Sequence, residues 1–127
     1  IYPELHYGRD ALVGVALFLT LLAKSGKTVS QLKQTYPKYA IAKTKIQLRP
    51  EMDVDAILRA VEQRYRAADG VEGLTTIDGV KVDFARSWVH LRKSNTEPII
   101  RIYSEAHTMQ QAEQLGNDVK QIIQSLC

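Results

Sequence analysis

The sequence predicts an α+β two-layer sandwich: a mainly antiparallel four-stranded sheet with helices on one face, preceded by a helical segment. Three observations carry this expectation. Apolar residues alternate with period two in several short runs between positions 74 and 105, the pattern of half-buried strands. Stretches with three- and four-residue apolar spacing lie on either side of that region. The order strand, helix, hairpin-linked strands, helix then leaves the helices to cover one sheet face.

In chain order, Asp10 is placed to cap a helix continued by Leu12, Val13, Ala16 and Leu17 as far as the Ser25-Gly26 break. That helix is apolar on nearly every side, which assigns it to the interior of a preceding domain. Thr28-Val29-Ser30-Gln31 has capping-box spacing for a short helix closed by Pro37. A boundary follows, giving residues 1–39 as the end of one domain and residues 40–127 as the next. Residues 41–48 form a candidate first strand, edge or half-exposed because of Lys43 and Lys45. Asp53 caps a second amphipathic helix through Val54, Ile57, Leu58, Val61 and Tyr65, ending near Gly70. Residues 74–77, Asp78-Gly79 and residues 80–84 read as a hairpin with a two-residue turn, because Asp-Gly tolerates positive backbone angles. Residues 88–92 and 99–105 give two more strands. Thr108-Met109-Gln110-Gln111 repeats the capping-box pattern before a last helix through Ala112, Leu115, Val119 and Ile122.

The 127 residues, 45% apolar and 24% charged, suit one globular domain with part of a neighbour and argue against disorder. The chain starts at Ile1 and reaches an apolar helical pattern within about ten residues, so an upstream segment is expected. The lone cysteine, Cys127, excludes an intrachain disulfide and a clustered thiol zinc site, consistent with a cytoplasmic location. Residues 11–23, the longest largely apolar stretch, number 13, short of the roughly 20 that cross a bilayer, so no membrane association is expected. The net charge of +3 is uneven: residues 24–49 hold seven Lys or Arg and no acid, leaving ten basic against 14 acidic residues elsewhere. Such a stretch attracts nucleic acid, a membrane surface or anionic metabolites, or is a solvated face beside an acidic neighbour.

The segment richest in chemistry is Arg92-Lys93-Ser94-Asn95-Thr96-Glu97-Pro98, with Arg101 beyond it. Arginine presents a planar fork that meets two phosphate oxygens, and hydroxyl, amide and backbone donors can complete the enclosure of a dianion. Pro98 restricts Glu97 to extended conformations and so limits the loop before any ligand arrives. Composition alone favours a polar turn whose arginines pair with Glu97 or Glu105. Ser25-Gly26-Lys27-Thr28 lacks the leading glycine of a P-loop, since Leu21 stands there, and it follows a helix. His6, His90 and His107 have no metal-ligand spacing; His6 reads as an interdomain contact and the others as surface histidines. His90 and Trp88 share a strand face with Arg92, where packing or exposure is the plain reading.

Arg92 to Pro98 followed by Ile99-Ile100-Arg101-Ile102-Tyr103-Ser104-Glu105 resembles the phosphate-binding segment of the α-D-phosphohexomutases. Asp78-Gly79-Val80-Lys81-Val82-Asp83-Phe84, Trp88-Val89-His90-Leu91 and Tyr7-Gly8-Arg9-Asp10 extend the resemblance over essentially the whole chain. The resemblance implies a four-domain enzyme that interconverts hexose 1-phosphates and 6-phosphates. Here it would supply the closing helices of the third domain and the fourth domain, with a fold like that of TATA-binding protein. It implies that Arg92, Ser94, Asn95, Thr96 and Arg101 contact the phosphate distant from the reacting position, with Lys93 and Glu97 as accessories. It also implies Mg²⁺ and a bisphosphorylated hexose activator for the complete enzyme, neither bound by this fragment. The catalytic serine, metal and sugar-recognition loops would lie upstream, so no catalytic or metal residue is assigned here and the fragment alone is expected to be inactive. Its partners would be a phosphosugar and the upstream domains, with no nucleic acid; glucosamine, glucose or mannose enzymes of bacterial type fit the retained segments. The alternatives are a basic module binding nucleic acid or other anions without catalysis, and a dimerisation domain using the apolar helix.

Overall fold

The computed structural model describes residues 1–126; Cys127, on which the disulfide and zinc expectations rest, lies outside them. Two compact units are present, Ile1–Pro37 and the described residues from Lys38 onward.

In the first unit, α1 spans Ala11–Ser25 and α2 spans Val29–Gln34. The Asp10 carboxylate accepts from the Val13 amide and caps α1, while Gly26, at φ 62°, ends it. The capping box at Thr28 and Gln31 closes in both directions. No residue of α1 is buried, and Leu12, Leu17 and Leu19 are each more than half exposed. His6 has two local partners. Gly8 N–H donates to its Nδ1, which leaves Nε2–H to donate to Asp10 at 3.0 Å.

The second unit runs β1 (Ala40–Gln47), α3 (Val54–Arg66), β2 (Val71–Thr75), β3 (Val80–Phe84), β4 (Ser87–Lys93), β5 (Ile99–Ala106) and α4 (Met109–Ser125). All neighbouring strands are antiparallel, in the order β1-β5-β4-β3-β2. The expected count of four strands is therefore corrected to five, because the candidate first strand does form, as Ala40–Gln47. β1 pairs with β5 along its whole length, and its lysines lie on the face away from the helices.

One apolar layer holds the unit together. Val80 and Val82, Val89 and Leu91, and Ile100 and Ile102 alternate onto the same sheet face and meet Ile57, Val61 and Tyr65 of α3 and Val119 and Ile123 of α4. Burying each such side chain is worth about 1.5–3 kcal/mol, which fixes register, since a one-residue slip would expose the whole set. Asp53 caps α3 through the Ala56 amide, and Thr108 caps α4 through the Gln111 amide.

The hairpin differs in detail from the two-residue turn expected. β2 ends at Thr75, the connection holds residues 76–79, and only Gly79 takes a positive φ, 78°. Asp78 stays in the ordinary region. The turn is thus set by one left-handed glycine rather than two left-handed residues.

Candidate functional site

Register brings the two arginines together. Arg92 of β4 lies directly opposite Arg101 of β5, and Lys45 of β1 lies opposite Arg101 on its other side. Their neighbours Leu91 and Ile102 point into the core, so Arg92 and Arg101 stand on the helix-free face, with His90 and Tyr103 one step along. Like charges opposite one another destabilise a sheet unless something anionic lies between them.

The loop joining these strands is five residues, 94–98. Its base is fixed: Ser94 N–H donates to Ile99 C=O at 3.0 Å, and Pro98 C=O accepts from Leu48 N–H at 2.8 Å and from the Gln47 side chain at 3.1 Å. Ser94 Oγ lies 3.4 Å from Thr96 Oγ1 and 3.5 Å from an Arg101 guanidinium nitrogen, so the hydroxyls face the arginine. Arg92, Lys93, Ser94, Asn95, Thr96, Arg101 and Tyr103 together line a recess of about 200 Å³. That is below the roughly 300–1,000 Å³ that encloses a whole small molecule, and suits one ionic group of a larger ligand. A wider recess of about 930 Å³ by the ends of α3 and α4 is lined by Ala60, Ala67, Ile122 and Leu126 among others, without such a gathering of cations.

Six of the seven residues singled out in the sequence line the recess. Glu97 does not; it pairs with Arg101 at 3.3 Å. Arg92 pairs not with Glu97 or Glu105 but with Asp78, Nε to Oδ2 3.0 Å, across the sheet from the hairpin turn. Lys93 makes no ion pair among the described residues. Tyr103 and Asp78 were missed. Strand alternation from Arg101 was a signal for Tyr103; nothing local ties Asp78 to Arg92, since only β3–β4 pairing brings them together.

The remaining histidines and the tryptophan have structural partners. His90 Nε2 donates to Asp78 C=O at 2.6 Å, His107 stacks on Tyr39 at 4.6 Å, and Trp88 Nε1–H donates to Glu105 at 2.9 Å. Among the described residues no three His, Cys, Asp or Glu side chains gather to hold a metal ion. No helix among them is long and apolar enough to cross a membrane.

Comparison with known proteins adds to this geometry. The family described as phosphoglucomutase/phosphomannomutase, C-terminal domain, matches residues 44–122. A phosphoglucosamine/phosphogalactosamine mutase of Sulfurisphaera tokodaii is 39% identical over 98% of this chain and 27% of its own length. A phosphoglucomutase/phosphomannomutase of Thermococcus kodakarensis is 40% identical over 90% of the chain and 24% of its own. The chain thus spans about a quarter of the curated relatives it matches. A crystal structure of a phosphoglucomutase/phosphomannomutase family protein from Burkholderia thailandensis shares the fold, with TM-score 0.51 and 22% identity over 76% of this chain and 19% of that one. By sequence over most of its length, the chain belongs to the phosphoglucomutase/phosphomannomutase family and matches its C-terminal domain.

Proposed function

We propose that the complete protein interconverts hexose 1-phosphates and hexose 6-phosphates, and that the recess between β4 and β5 grips the phosphate distant from the reacting carbon. The observation that carries this reading is the facing pair Arg92 and Arg101 with the Ser94, Asn95 and Thr96 donors around one small recess. The relatives' names point to phosphorylated glucose, mannose and amino sugars as the substrate class.

Magnitudes favour a ligand over the resident carboxylates. The Arg92–Asp78 and Arg101–Glu97 pairs are between two-fifths and three-fifths exposed on all four side chains. Exposed pairs of this kind are worth about 0–1 kcal/mol. A hydrogen bond to a charged group contributes about 1.5–3 kcal/mol, and a phosphate dianion can take several at once from the forks and the loop. Phosphate therefore wins Arg101 from Glu97. Because the loop base is already tied to β1 and β5, little ordering entropy opposes binding. Holding one end of the sugar bisphosphate orients the other for transfer, which turns binding energy into rate.

Residues 1–39 would close the preceding domain, whose remaining elements would cover the exposed leucines of α1. Mg²⁺, the bisphosphorylated activator and the phosphate-carrying serine would be served by the other domains. Replacing Arg92 by Ala in the complete enzyme is expected to lower kcat/KM by at least about thirtyfold, equivalent to about 2 kcal/mol. Steady-state assay with glucose 1-phosphate, mannose 1-phosphate and glucosamine 1-phosphate tests this; unchanged kcat/KM on every sugar that the parent enzyme converts would remove Arg92 from the site.

A further inference from the structure

We propose that Asp78, in the β2–β3 turn, is a positioning residue that aims the Arg92 guanidinium into the phosphate recess. This rests on the reading of the recess as a phosphate site. Asp78 is 14 positions before Arg92 and contributes nothing to the recess wall, yet its carboxylate sits 3.0 Å from Nε of Arg92. Nε lies on the inner edge of the guanidinium group. A carboxylate oxygen paired with Nε rather than with a terminal nitrogen leaves the two terminal nitrogens, the prongs that meet two phosphate oxygens, free to face the ligand.

The turn is built to hold Asp78 there. Gly79 lies so close to β4 that a Cβ on it would overlap Leu91 C=O and stand 3.1 Å from Arg92 Cα. His90 clasps the same turn by donating from Nε2 to Asp78 C=O at 2.6 Å. Val80 is registered opposite Leu91 immediately after. Three neighbouring contacts thus fix the turn against His90, Leu91 and Arg92 of β4. Arg101 has no such support from a separate strand. Its carboxylate partner, Glu97, belongs to the recess loop itself, and Ser94 lies at 3.5 Å from the same guanidinium. Arg92 is the arginine whose direction is set from outside the loop.

Charge alone predicts the opposite effect for this carboxylate. An acid beside an anion site repels the anion, so removing it should tighten binding. If orientation dominates, removing it weakens binding. The sign of the effect separates the two accounts.

The test compares Asp78→Asn, Arg92→Ala and the double variant in the complete enzyme, assayed with glucose 1-phosphate or whichever hexose 1-phosphate the parent converts, with thermal midpoints as a folding control. Asparagine suits the turn and keeps the shape while removing the charge. Asp78→Asn is expected to raise KM about tenfold with kcat changed less than threefold, and to have no further effect once Arg92 is alanine. An unchanged or lowered KM, or equal losses with and without Arg92, would overturn the positioning role while an impaired Arg92→Ala leaves the phosphate site standing. An unimpaired Arg92→Ala would overturn both. Should Asp78→Asn lower the thermal midpoint, Asp78→Ser, turn-compatible but too short to reach Nε, takes its place under the same criteria.

Discussion

Replacing Gly79 by alanine should destabilise the β-domain by an amount that can be worked from two contributions. The first is conformational: φ is 78°, and an L-residue in that region costs about 1–2 kcal/mol. The second is steric. The added Cβ would overlap Leu91 O and stand 3.0 Å from Leu91 C, both backbone atoms that no rotamer change can move. Relief requires the turn to lift from β4, which gives up the His90 contact and loosens the Val80–Leu91 pair, at about 0.5–1.5 kcal/mol for each hydrogen bond lost. Together these give about 2–4 kcal/mol, a large share of the roughly 5–15 kcal/mol that stabilises a domain. Gly70 provides the control, since it has φ 80° with open space where its Cβ would go, so Gly70→Ala should cost the conformational part alone. Urea denaturation of the 127-residue chain followed by circular dichroism measures both; with a slope near 2 kcal/mol/M, Gly79→Ala should shift the midpoint down by about 1–2 M and Gly70→Ala by about half that. Equal shifts would show that the turn does not press on β4, and the support proposed for Asp78 would lose its basis.

Two further predictions concern the core. Burial raises the Tyr65 hydroxyl above its ordinary value, with the Asp118 charge adding to the effect and Arg64 opposing it. A raised folded-state value means that this contribution to stability is complete below about pH 10 and is lost as pH rises through the folded value, so Tyr65→Phe should flatten the alkaline end of a stability-versus-pH curve and leave the neutral region level. Gly116 of α4 packs so that a Cβ would meet Ser104 Oγ at 3.1 Å, and that fully buried hydroxyl already donates to Ala112 C=O at 2.6 Å. Gly116→Ala should therefore cost about 1–3 kcal/mol in the parent and distinctly less in a Ser104→Ala background, a coupling that denaturation of the four variants measures and that independent sites would not show.

Much of the fold was legible because the apolar pattern and the helix starts are local signals. Asp10, Thr28, Asp53 and Thr108 each cap the helix their spacing indicated, and the period-two runs at Val80, Val89 and Ile100 became the central strands. The strand count was not, because Lys43 and Lys45 weaken the alternation of β1. Those lysines read as marginal in isolation, yet pairing along all eight residues of β1 with β5 supplies what local pattern could not. The hairpin turn was placed on the right dipeptide with the wrong geometry, since Asp-Gly permits left-handed angles at both positions but β4, pressing on Gly79, leaves Asp78 in the ordinary region.

The candidate site divides along the same line. The residues from Arg92 to Thr96 are contiguous, and Arg101 returns opposite Arg92 because a short antiparallel connection must bring it back. Contiguity made them readable. Asp78 is a different kind of participant: its position follows from register across β3 and β4, and its sign is wrong for an anion site, so neither motif nor charge could single it out. On the proposed phosphate reading the two carboxylates play different parts. Glu97 rides on the loop and pairs with Arg101, so a phosphate that takes Arg101 would displace it. Asp78 pairs with Nε of Arg92 and would stay. One arginine would then exchange partners on binding while the other kept its orientation, and removing the two acids should have effects of opposite sign on affinity for the same phosphate.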